Sequence, residues 1–379
     1  MAYLDHNATS PLRAEAQEAA GRAFAIGGNA SSVHARGRAA RALIEEARAK
    51  VAALAQAPVQ NVVFTGGGTE ANALALWGAV QGAAEAGARI TRLFVSAIEH
   101  ESVLSNVAAL SERVAGLRLE TIPVSPEGVA DIEVLRTALR EGKGRALIAL
   151  MAANNETGVV QPVVEAAVLA REAGALLLVD AVQGAGKIAV PEADYVTLSA
   201  HKIGGPQGVG ALILGAGVPF SPLMMGGGQE QGRRAGTENL PGIAGFGAAS
   251  EIVASEGSLS PVLRDRFEAK LKHIVPGMIV FGGKAMRLPN TSNFALPGIP
   301  AETALMALDL DGVMLSSGAA CSSGKVKPSH VLKAMGVTED SARCALRASF
   351  GWNSTEADVE EALASISNLL ARLPARAAA

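Results

Sequence analysis

The sequence predicts an α/β protein in which a mostly parallel sheet forms the larger part. Short apolar segments such as NVVFTGG (61–67) and ALLLVDAV (175–182) alternate with helical patterns between residues 34 and 250. Apolar strands without a polar face, separated by helices, are typical of a parallel sheet that helices cover on both sides. After about residue 255, short strands and two longer helical segments follow, which indicates a smaller α+β domain.

The helices and strands can be placed in order along the chain. Helical spacing of apolar residues predicts helices over 34–55, 69–80, 163–174, 260–275 and 355–374. Strands are predicted at 61–67, 92–100, 118–124, 145–155, 175–182, 195–200, 208–215, 278–283, 292–296, 313–318 and 345–351. We expect residues 14–255 to form the large domain. Residues 1–13 and 256–379 are expected to form the small domain, which carries the loop around Cys321.

Composition limits the classes of function. The chain has 379 residues, of which 49% are hydrophobic, and a formal net charge of −3. That mild, well-mixed charge gives no electrostatic reason to bind nucleic acid or an anionic membrane. Two cysteines are too few for a secreted domain held by disulfides, and no apolar run is long enough to span a membrane. We therefore expect a soluble cytoplasmic protein.

The segment FTGGGTEAN (64–72) places three glycines between a strand and a helix. Glycines allow a close backbone approach, and the start of a helix offers unpaired N–H groups to an anion. A phosphate site and a tight turn without a ligand both remain open for this segment. It is neither a Walker loop nor a GxGxxG motif.

Two charged residues follow apolar strands. Asp180 ends the run LLLVD, where a carboxylate is costly unless a cation pairs with it, and Gln183 comes three residues later. Lys202 lies between an apolar strand and the segment GGPQGVG. It is either a surface lysine or an amine that is used covalently, as a Schiff base.

Other polar positions are less informative singly. His100 follows a strand and has no second His or Cys at ligand spacing, so no intrinsic metal site is expected. Asn155 lies in a polar NNE segment, and Thr237 lies in a long Gly- and Arg-rich loop (225–242). Arg347 suits either bidentate binding of a carboxylate or a surface ion pair. Cys321 lies in SSGAACSSGK (316–325), which is poor in bulky residues.

Taken together, these positions describe a site for pyridoxal 5′-phosphate. The phosphate of this cofactor needs backbone donors, its ring nitrogen needs a carboxylate and its aldehyde needs an amine. Residues 64–72, Asp180 and Lys202 supply these three groups at predicted strand ends, where ligands bind to parallel sheets.

Ten motifs occur in order along nearly the whole chain. They are LDHNATSP, GNASSVHARGR, FTGGGTEAN, EHESVL, NNETGVVQP, VDAVQGAGK, SAHKIGGPQGVG, GRRAGTENLPG, SSGAACSSG and LRASFG. In wording, order and spacing the chain resembles the cysteine desulfurases of the NifS/IscS-like branch of the class V aminotransferase superfamily. The resemblance implies the type I fold of PLP-dependent transferases, with a homodimer whose active sites lie at the subunit interface.

The resemblance also implies residue roles. Lys202 is expected to bind the cofactor aldehyde and later move protons, His100 to stack on the ring and act as an acid or base, and Asp180 to pair with the ring nitrogen. Gln183 is expected to contact the phenolic oxygen of the cofactor. The phosphate is expected to be bound by Gly68, Thr69, Ser199 and His201, and by Thr237 from the partner subunit. Asn155 is expected to contact cofactor and substrate, and Arg347 the substrate carboxylate.

Cys321 is implied to be the nucleophile that takes sulfur from L-cysteine. The products are then L-alanine and a persulfide on Cys321, which is passed to an iron–sulfur scaffold or another sulfur acceptor. In such a complex Cys321 could transiently ligate a cluster on the partner. Residues 322–328 are expected to be mobile without a partner. One alternative is a selenocysteine lyase-like or other class V activity. A second alternative is a non-catalytic protein with the same fold.

Overall fold

The computed structural model describes residues 1–257, 259–317 and 329–372, together with the backbone of 321–322 and 325–326. The helices are α1 (Ala14–Ile26), α2 (Ala35–Leu54), α3 (Gly68–Glu85), α4 (Glu101–Arg113), α5 (Ile132–Glu141), α6 (Val163–Ala173), α7 (Leu240–Glu256), α8 (Val262–Ile274), α9 (Ala301–Leu310), α10 (His330–Ala334), α11 (Glu339–Arg343) and α12 (Glu356–Arg372). The strands are β1 (Ala2–Tyr3), β2 (Val62–Thr65), β3 (Ile90–Ser96), β4 (Arg118–Ile122), β5 (Arg145–Ala149), β6 (Leu176–Asp180), β7 (Tyr195–Ser199), β8 (Gly210–Leu214), β9 (Ile279–Val280), β10 (Thr291–Ala295), β11 (Val313–Met314), β12 (Cys321–Ser322), β13 (Lys325–Val326) and β14 (Ala345–Ser349).

The central sheet has the strand order β2-β8-β7-β6-β5-β3-β4 within the described ranges. Strand β8 runs antiparallel to both of its neighbours, and the other pairs are parallel. This confirms the predicted α/β class with a mostly parallel sheet. The C-terminal ends of β2, β3, β5, β6 and β7 therefore lie along one edge.

Strand β6, in the middle of the sheet, is apolar on both faces because helices cover both sides. In β6, Leu177 and Val179 pack into a core that includes residues of α2 and α7. Leu176 and Leu178 pack into a second core that includes residues of α3 and α4. Burying one such side chain contributes roughly 1.5–3 kcal/mol, so the continuous apolar runs are explained by packing on both faces.

The N-terminal residues pack against the last third of the chain. Strand β1 pairs in parallel with β11, and Leu4 lies in a core with Phe267, Phe294 and Phe350. In the same region β10 pairs antiparallel with β9 and β14. Because the N-terminal segment is anchored there, the residues after Leu4 can cross to the edge of the central sheet.

Two predicted strands end earlier than expected. The strand predicted at 92–100 ends at Ser96, and the one predicted at 145–155 ends at Ala149. Ile98 and Met151, beyond these ends, are buried in a separate cluster that also contains Cys344. The apolar pattern therefore predicted correctly that these residues are buried, but the buried residues after the strands belong to turns.

No helix in the described parts of the chain is long and apolar enough to cross a membrane.

A buried ion pair fastens the loop before α7 to the large core. Arg48 on α2 donates from Nη1 and Nη2 to the Glu230 carboxylate at 2.7 and 2.8 Å, and both side chains are nearly inaccessible. Glu230 Oε2 also accepts from the Phe64 backbone N–H at 2.9 Å. Glu230 has a left-handed backbone, with φ of 47°, so these contacts hold a conformation that a non-glycine residue rarely adopts.

We predict that Arg48→Met lowers the free energy of unfolding by about 3–5 kcal/mol, since it leaves the Glu230 carboxylate buried without its cation. Glu45→Gln is the matched control, because Glu45 also pairs with Arg48 but is half-exposed. That change should cost less than about 1 kcal/mol. Urea unfolding measures the free energy of unfolding of both variants. An equal loss of stability in the two would contradict the larger contribution of the buried pair.

Candidate active site

The strand ends at one edge of the sheet surround a cavity of about 830 Å³. This volume is typical of a site for a cofactor or a small ligand. The structure brings most of the sequence-predicted residues to its wall, namely Gly68, Thr69, His100, Asn155, Asp180, Gln183, Ser199, His201, Lys202 and Arg347. Thr237 is exposed and is not among the residues that line this cavity.

The remaining predicted residue is Cys321. Its backbone forms a short ladder with Val326, but its side chain lies outside the described part of the chain. Residues 322–328, which are expected to be mobile, likewise lie outside the fully described part of the chain. The cavity wall does include Ser316 and Ser329, which precede and follow this segment.

The start of α3 forms one end of the cavity. Gly67 caps the helix with φ of 149°, and a Cβ on Gly68 would lie only 2.9 Å from Val182 Cγ2. The first N–H groups of a helix have no partner within the helix, so they are free to bind an anion. The hydroxyls of Thr69 and Ser199 line the same cavity. This arrangement fits a phosphate group.

His201 lies beside this end of the cavity and contacts Thr9 Oγ1 through Nδ1 at 3.2 Å. Burial, and secondarily the charge of Lys202, lowers the pKa of His201 to about 4. The ring is therefore neutral near pH 7. It can donate one hydrogen bond to a phosphate without adding a charge.

The amine of Lys202 is held by the N-terminal segment. Its Nζ donates to the backbone oxygens of Asn7 and Ala8 at 2.6 and 2.8 Å. Burial, and secondarily the charge of Arg347, lowers the pKa of this amine from 10.5 to about 8, against the opposite effect of Asp5 and Asp180. A usable fraction of the amine is thus neutral near pH 7, as attack on an aldehyde requires.

Asp180 is buried and accepts hydrogen bonds on both carboxylate oxygens. Oδ2 accepts from Asn72 Nδ2 at 2.8 Å, and Oδ1 accepts from the Val182 N–H at 2.9 Å. Within the described residues, no lysine, arginine or histidine forms an ion pair with it. A buried carboxylate that faces a cavity and has only neutral donors fits a cationic ring nitrogen on a bound cofactor.

Gln183 is fixed by groups on both sides of its amide. Nε2 donates to the Asn7 oxygen at 2.9 Å, and Oε1 accepts from Lys187 Nζ at 3.0 Å. Lys187 is fully buried, and this burial lowers the pKa of its amine to about 7, with smaller contributions from the charges of Lys202 and Arg347. No local sequence pattern singles out Lys187, because its amine reaches Gln183 only through the fold.

Arg347 lies on β14 and is buried, not exposed as a surface ion pair would be. Nη1 donates to the Asn155 oxygen at 2.9 Å and Nη2 to Asp5 Oδ1 at 2.6 Å. Its Nε has no hydrogen-bond partner among the residues that the structure describes. The guanidinium therefore keeps donor capacity for a carboxylate in the cavity.

Burial raises the pKa of two acids beside the cavity. Burial raises the pKa of Glu156 to about 7, against the hydrogen bond from Ser329 and the charge of Arg347. Burial, followed by the charge of Asp180, raises the pKa of Glu99 well above its usual value. Burial therefore disfavours the charged form of both acids. In the part of the chain described, no cluster of His, Cys, Asp and Glu is arranged to hold a metal ion.

Sequence reasoning missed several residues that shape the site. Asn7 accepts from Lys202 and Gln183 through its backbone oxygen, and its side chain donates to the Asn155 oxygen at 3.2 Å. It lies in the motif LDHNATSP, which contributed to the family resemblance but did not by itself indicate a chemical role for Asn7. Asn72, in FTGGGTEAN, binds Asp180. In both cases the sequence motif was recognised, but the residues that these asparagines contact lie in distant parts of the chain.

Comparison with known proteins agrees with this geometry. A family model described as aminotransferase class-V matches residues 2–362. A cysteine desulfurase of Cereibacter sphaeroides is 44% identical, covering 95% of this chain and 93% of the relative. An IscS-like cysteine desulfurase of Mycobacterium tuberculosis is 39% identical, covering 98% and 97%. The solved structure of a NifS-like protein from Rickettsia africae superposes with a TM-score of 0.87 at 32% identity, covering 98% and 99%.

We predict that acetylation of Lys202 in the apoprotein rises through about pH 8, because only the neutral amine reacts. In the urea-unfolded chain the same lysine should react with a midpoint near the free-lysine value of about 10.4. Peptide mass spectrometry after limited treatment with acetic anhydride measures both profiles. Coinciding midpoints would contradict the lowered pKa.

Proposed function

The chain belongs to the class V aminotransferase family, and we propose that it is a cysteine desulfurase that takes sulfur from L-cysteine onto Cys321 and releases L-alanine. The observation that carries this proposal is the amine of Lys202, with its lowered pKa, in one cavity with the Asp180 carboxylate and the start of α3. These three groups match the aldehyde, ring nitrogen and phosphate of pyridoxal 5′-phosphate, which is the cofactor of this family.

When bound, the cofactor withdraws electrons from the substrate's Cα, which makes the Cα proton acidic and the Cβ–S bond labile. Gly68, Thr69, Ser199 and His201 are proposed to hold its phosphate. Asp180 is proposed to face its ring nitrogen, and Gln183 its phenolic oxygen. His100 is proposed to lie against the ring, and Lys202 to supply the amine.

The protein's own groups then bind substrate and move protons. Arg347, whose Nε has no partner within the described chain, is proposed to bind the substrate carboxylate together with Asn155. Lys202 Nζ, once neutral, takes the proton from Cα, and His100 acts as a further acid or base at the cavity wall. Arg347 positions the amino acid so that its side chain points towards the segment that carries Cys321.

Sulfur transfer requires the thiolate of Cys321. The thiolate attacks the substrate sulfur, an S–S bond forms and the Cβ–S bond breaks with its electron pair left on Cβ. Cβ then takes a proton, Lys202 returns a proton to Cα, and L-alanine leaves. The resulting persulfide is passed to an iron–sulfur scaffold or another acceptor protein. A selenocysteine lyase-like activity is less favoured because the curated relatives that span the chain are named cysteine desulfurases.

The proposal includes a cytoplasmic homodimer in which Thr237 contacts the cofactor phosphate of the partner subunit. In support, Thr237 is exposed and lies outside the cavity of its own chain. The proposal also divides the chain into a large domain (14–255) and a small domain (1–13 with 256–379). Separate hydrophobic clusters, one of which joins Leu4 to Phe294 and Phe350, support this division.

We predict that Cys321→Ala lowers sulfide release from L-cysteine and a reductant by on the order of a hundred-fold or more, because no other group receives the sulfur. The visible absorbance of the bound cofactor should persist. Cys344→Ala is the matched control, since Cys344 is buried and has no role in the mechanism. If Cys321→Ala kept full activity, the proposed route for sulfur would be wrong.

A further inference from the structure

Glu70 fastens the glycine loop at the start of α3 from outside the cavity. Helix α3 begins after Gly67, which has no side chain, so no side-chain cap occupies the first N–H groups of the helix. Glu70, the third residue of α3, instead reaches back past this position, and its Oε2 accepts the backbone N–H of Gly66 at 2.7 Å. The first N–H groups therefore stay available to a phosphate, while a carboxylate holds the loop that precedes them.

This contact places a negative charge close to a site for an anion. Glu70 lies in the same first turn of α3 as Gly68 and Thr69, which line the cavity. A carboxylate in the first turn stabilises a helix, but it also repels a phosphate dianion that binds to the same turn. A phosphate site at this position therefore benefits from a cation that cancels the charge of Glu70.

Arg234, from the loop 225–242, supplies that cation. Its Nε and Nη2 donate to the two oxygens of the Glu70 carboxylate at 2.8 and 3.2 Å, and such two-point pairs are among the stronger hydrogen-bonded arrangements. The side chains of Arg234 and Glu70 are 18% and 27% exposed, so solvent screens the pair only in part. Neither residue is among those that line the cavity.

The other carboxylates near Arg234 act on it more weakly. The hydrogen bond to Glu70 contributes most to the raised pKa of Arg234, against the effect of burial, and the charges of Glu230 and Glu238 contribute least. Glu230 has Arg48 as its own cation, at 2.7 Å. Among the residues that the structure describes, Arg234 is the only ion-pair partner of Glu70. The charge of Glu70 is therefore balanced from one position in the chain.

We propose that Arg234 is a positioning residue for the cofactor phosphate. It neutralises Glu70, so that Glu70 holds the glycine loop without repelling the anion that the loop binds. The inference rests on the proposed function, in which the start of α3 binds the phosphate of pyridoxal 5′-phosphate. Arg234 touches neither substrate nor cofactor and acts through Glu70.

The decisive variant is Arg234→Met, which removes the cation and leaves Glu70 charged. We expect its apoprotein to bind pyridoxal 5′-phosphate about tenfold more weakly than the native apoprotein, because one unbalanced charge then lies near a dianion. Adding Glu70→Gln to Arg234→Met should restore most of the affinity, since glutamine is uncharged and still accepts from Gly66. Titration followed by the visible absorbance of the bound cofactor measures each dissociation constant, and no recovery in the double variant would overturn the proposal.

Two further titrations separate the effect of charge from a loss of structure. Pyridoxal, which lacks the phosphate, should bind to Arg234→Met and to the native chain with affinities within about twofold of each other. In about 1 M KCl, where the Debye length is about 3 Å, the loss of affinity for pyridoxal 5′-phosphate in Arg234→Met should become smaller. Equal losses for pyridoxal and for pyridoxal 5′-phosphate would contradict the role of Arg234.

The matched control is Arg92→Met. Arg92 binds the Glu120 carboxylate through Nε and Nη2 at the same 2.8 and 3.2 Å, but it lies near the start of β3, at the opposite end of the strand from the cavity. This change should leave the affinity for pyridoxal 5′-phosphate unaltered, and a loss equal to that of Arg234→Met would count against the proposal. If Arg234→Met does not fold, Arg234→Gln takes its place and should show the same loss, whereas Arg234→Lys keeps the charge and should keep the affinity.

The outcomes for Arg234 and for the proposed function are distinguishable. If the affinities follow the expected pattern but the native enzyme releases no sulfide from L-cysteine, the proposed function fails and the role of Arg234 stands. If the native enzyme releases sulfide and Arg234→Met binds pyridoxal 5′-phosphate as tightly as the native chain does, the role of Arg234 fails and the proposed function stands.

Discussion

The amine of Lys202 is buried beside other cations, and the arrangement of the cavity follows from that constraint. Its hydrogens need acceptors, which the backbone oxygens of Asn7 and Ala8 supply. Those oxygens reach the site because the first residues are anchored in the core around Leu4. The packing of the N-terminal segment on the last third of the chain therefore places the acceptors that hold the reactive amine.

The basic groups at the site also interact with one another. The charge of Arg347 lowers the pKa of Lys202, and the charges of Lys202 and Arg347 lower the pKa of Lys187. Burial raises the pKa of Glu156 and of Glu99, which weakens the negative charge near these basic groups. The start of α3 and the Arg347 guanidinium favour ligands with negative groups, such as a phosphorylated cofactor and an amino acid carboxylate. The electrostatics and the chemistry of the proposed reaction thus have one physical origin.

Much of the fold and many site positions could be predicted from the sequence because both follow local rules. Continuous apolar runs predicted the parallel sheet, and polar residues after those runs predicted the cavity edge, including Asp180 and Lys202. What could not be predicted were contacts between distant segments. Lys187 matters through Gln183, and Asn72 through Asp180 and Ser102, and neither residue has a local pattern that reveals its partner. The strand ends were also misplaced, because Ile98 and Met151 are buried in turns.

Borohydride reduction of the holoenzyme tests the central claim most directly, since it fixes the cofactor permanently to the amine that binds it. Peptide mass spectrometry then identifies the modified lysine. We expect a pyridoxyl group on Lys202 and none on Lys187, although both amines are buried and have a lowered pKa. A pyridoxyl group on Lys187, or no lysine modified at all, would contradict it.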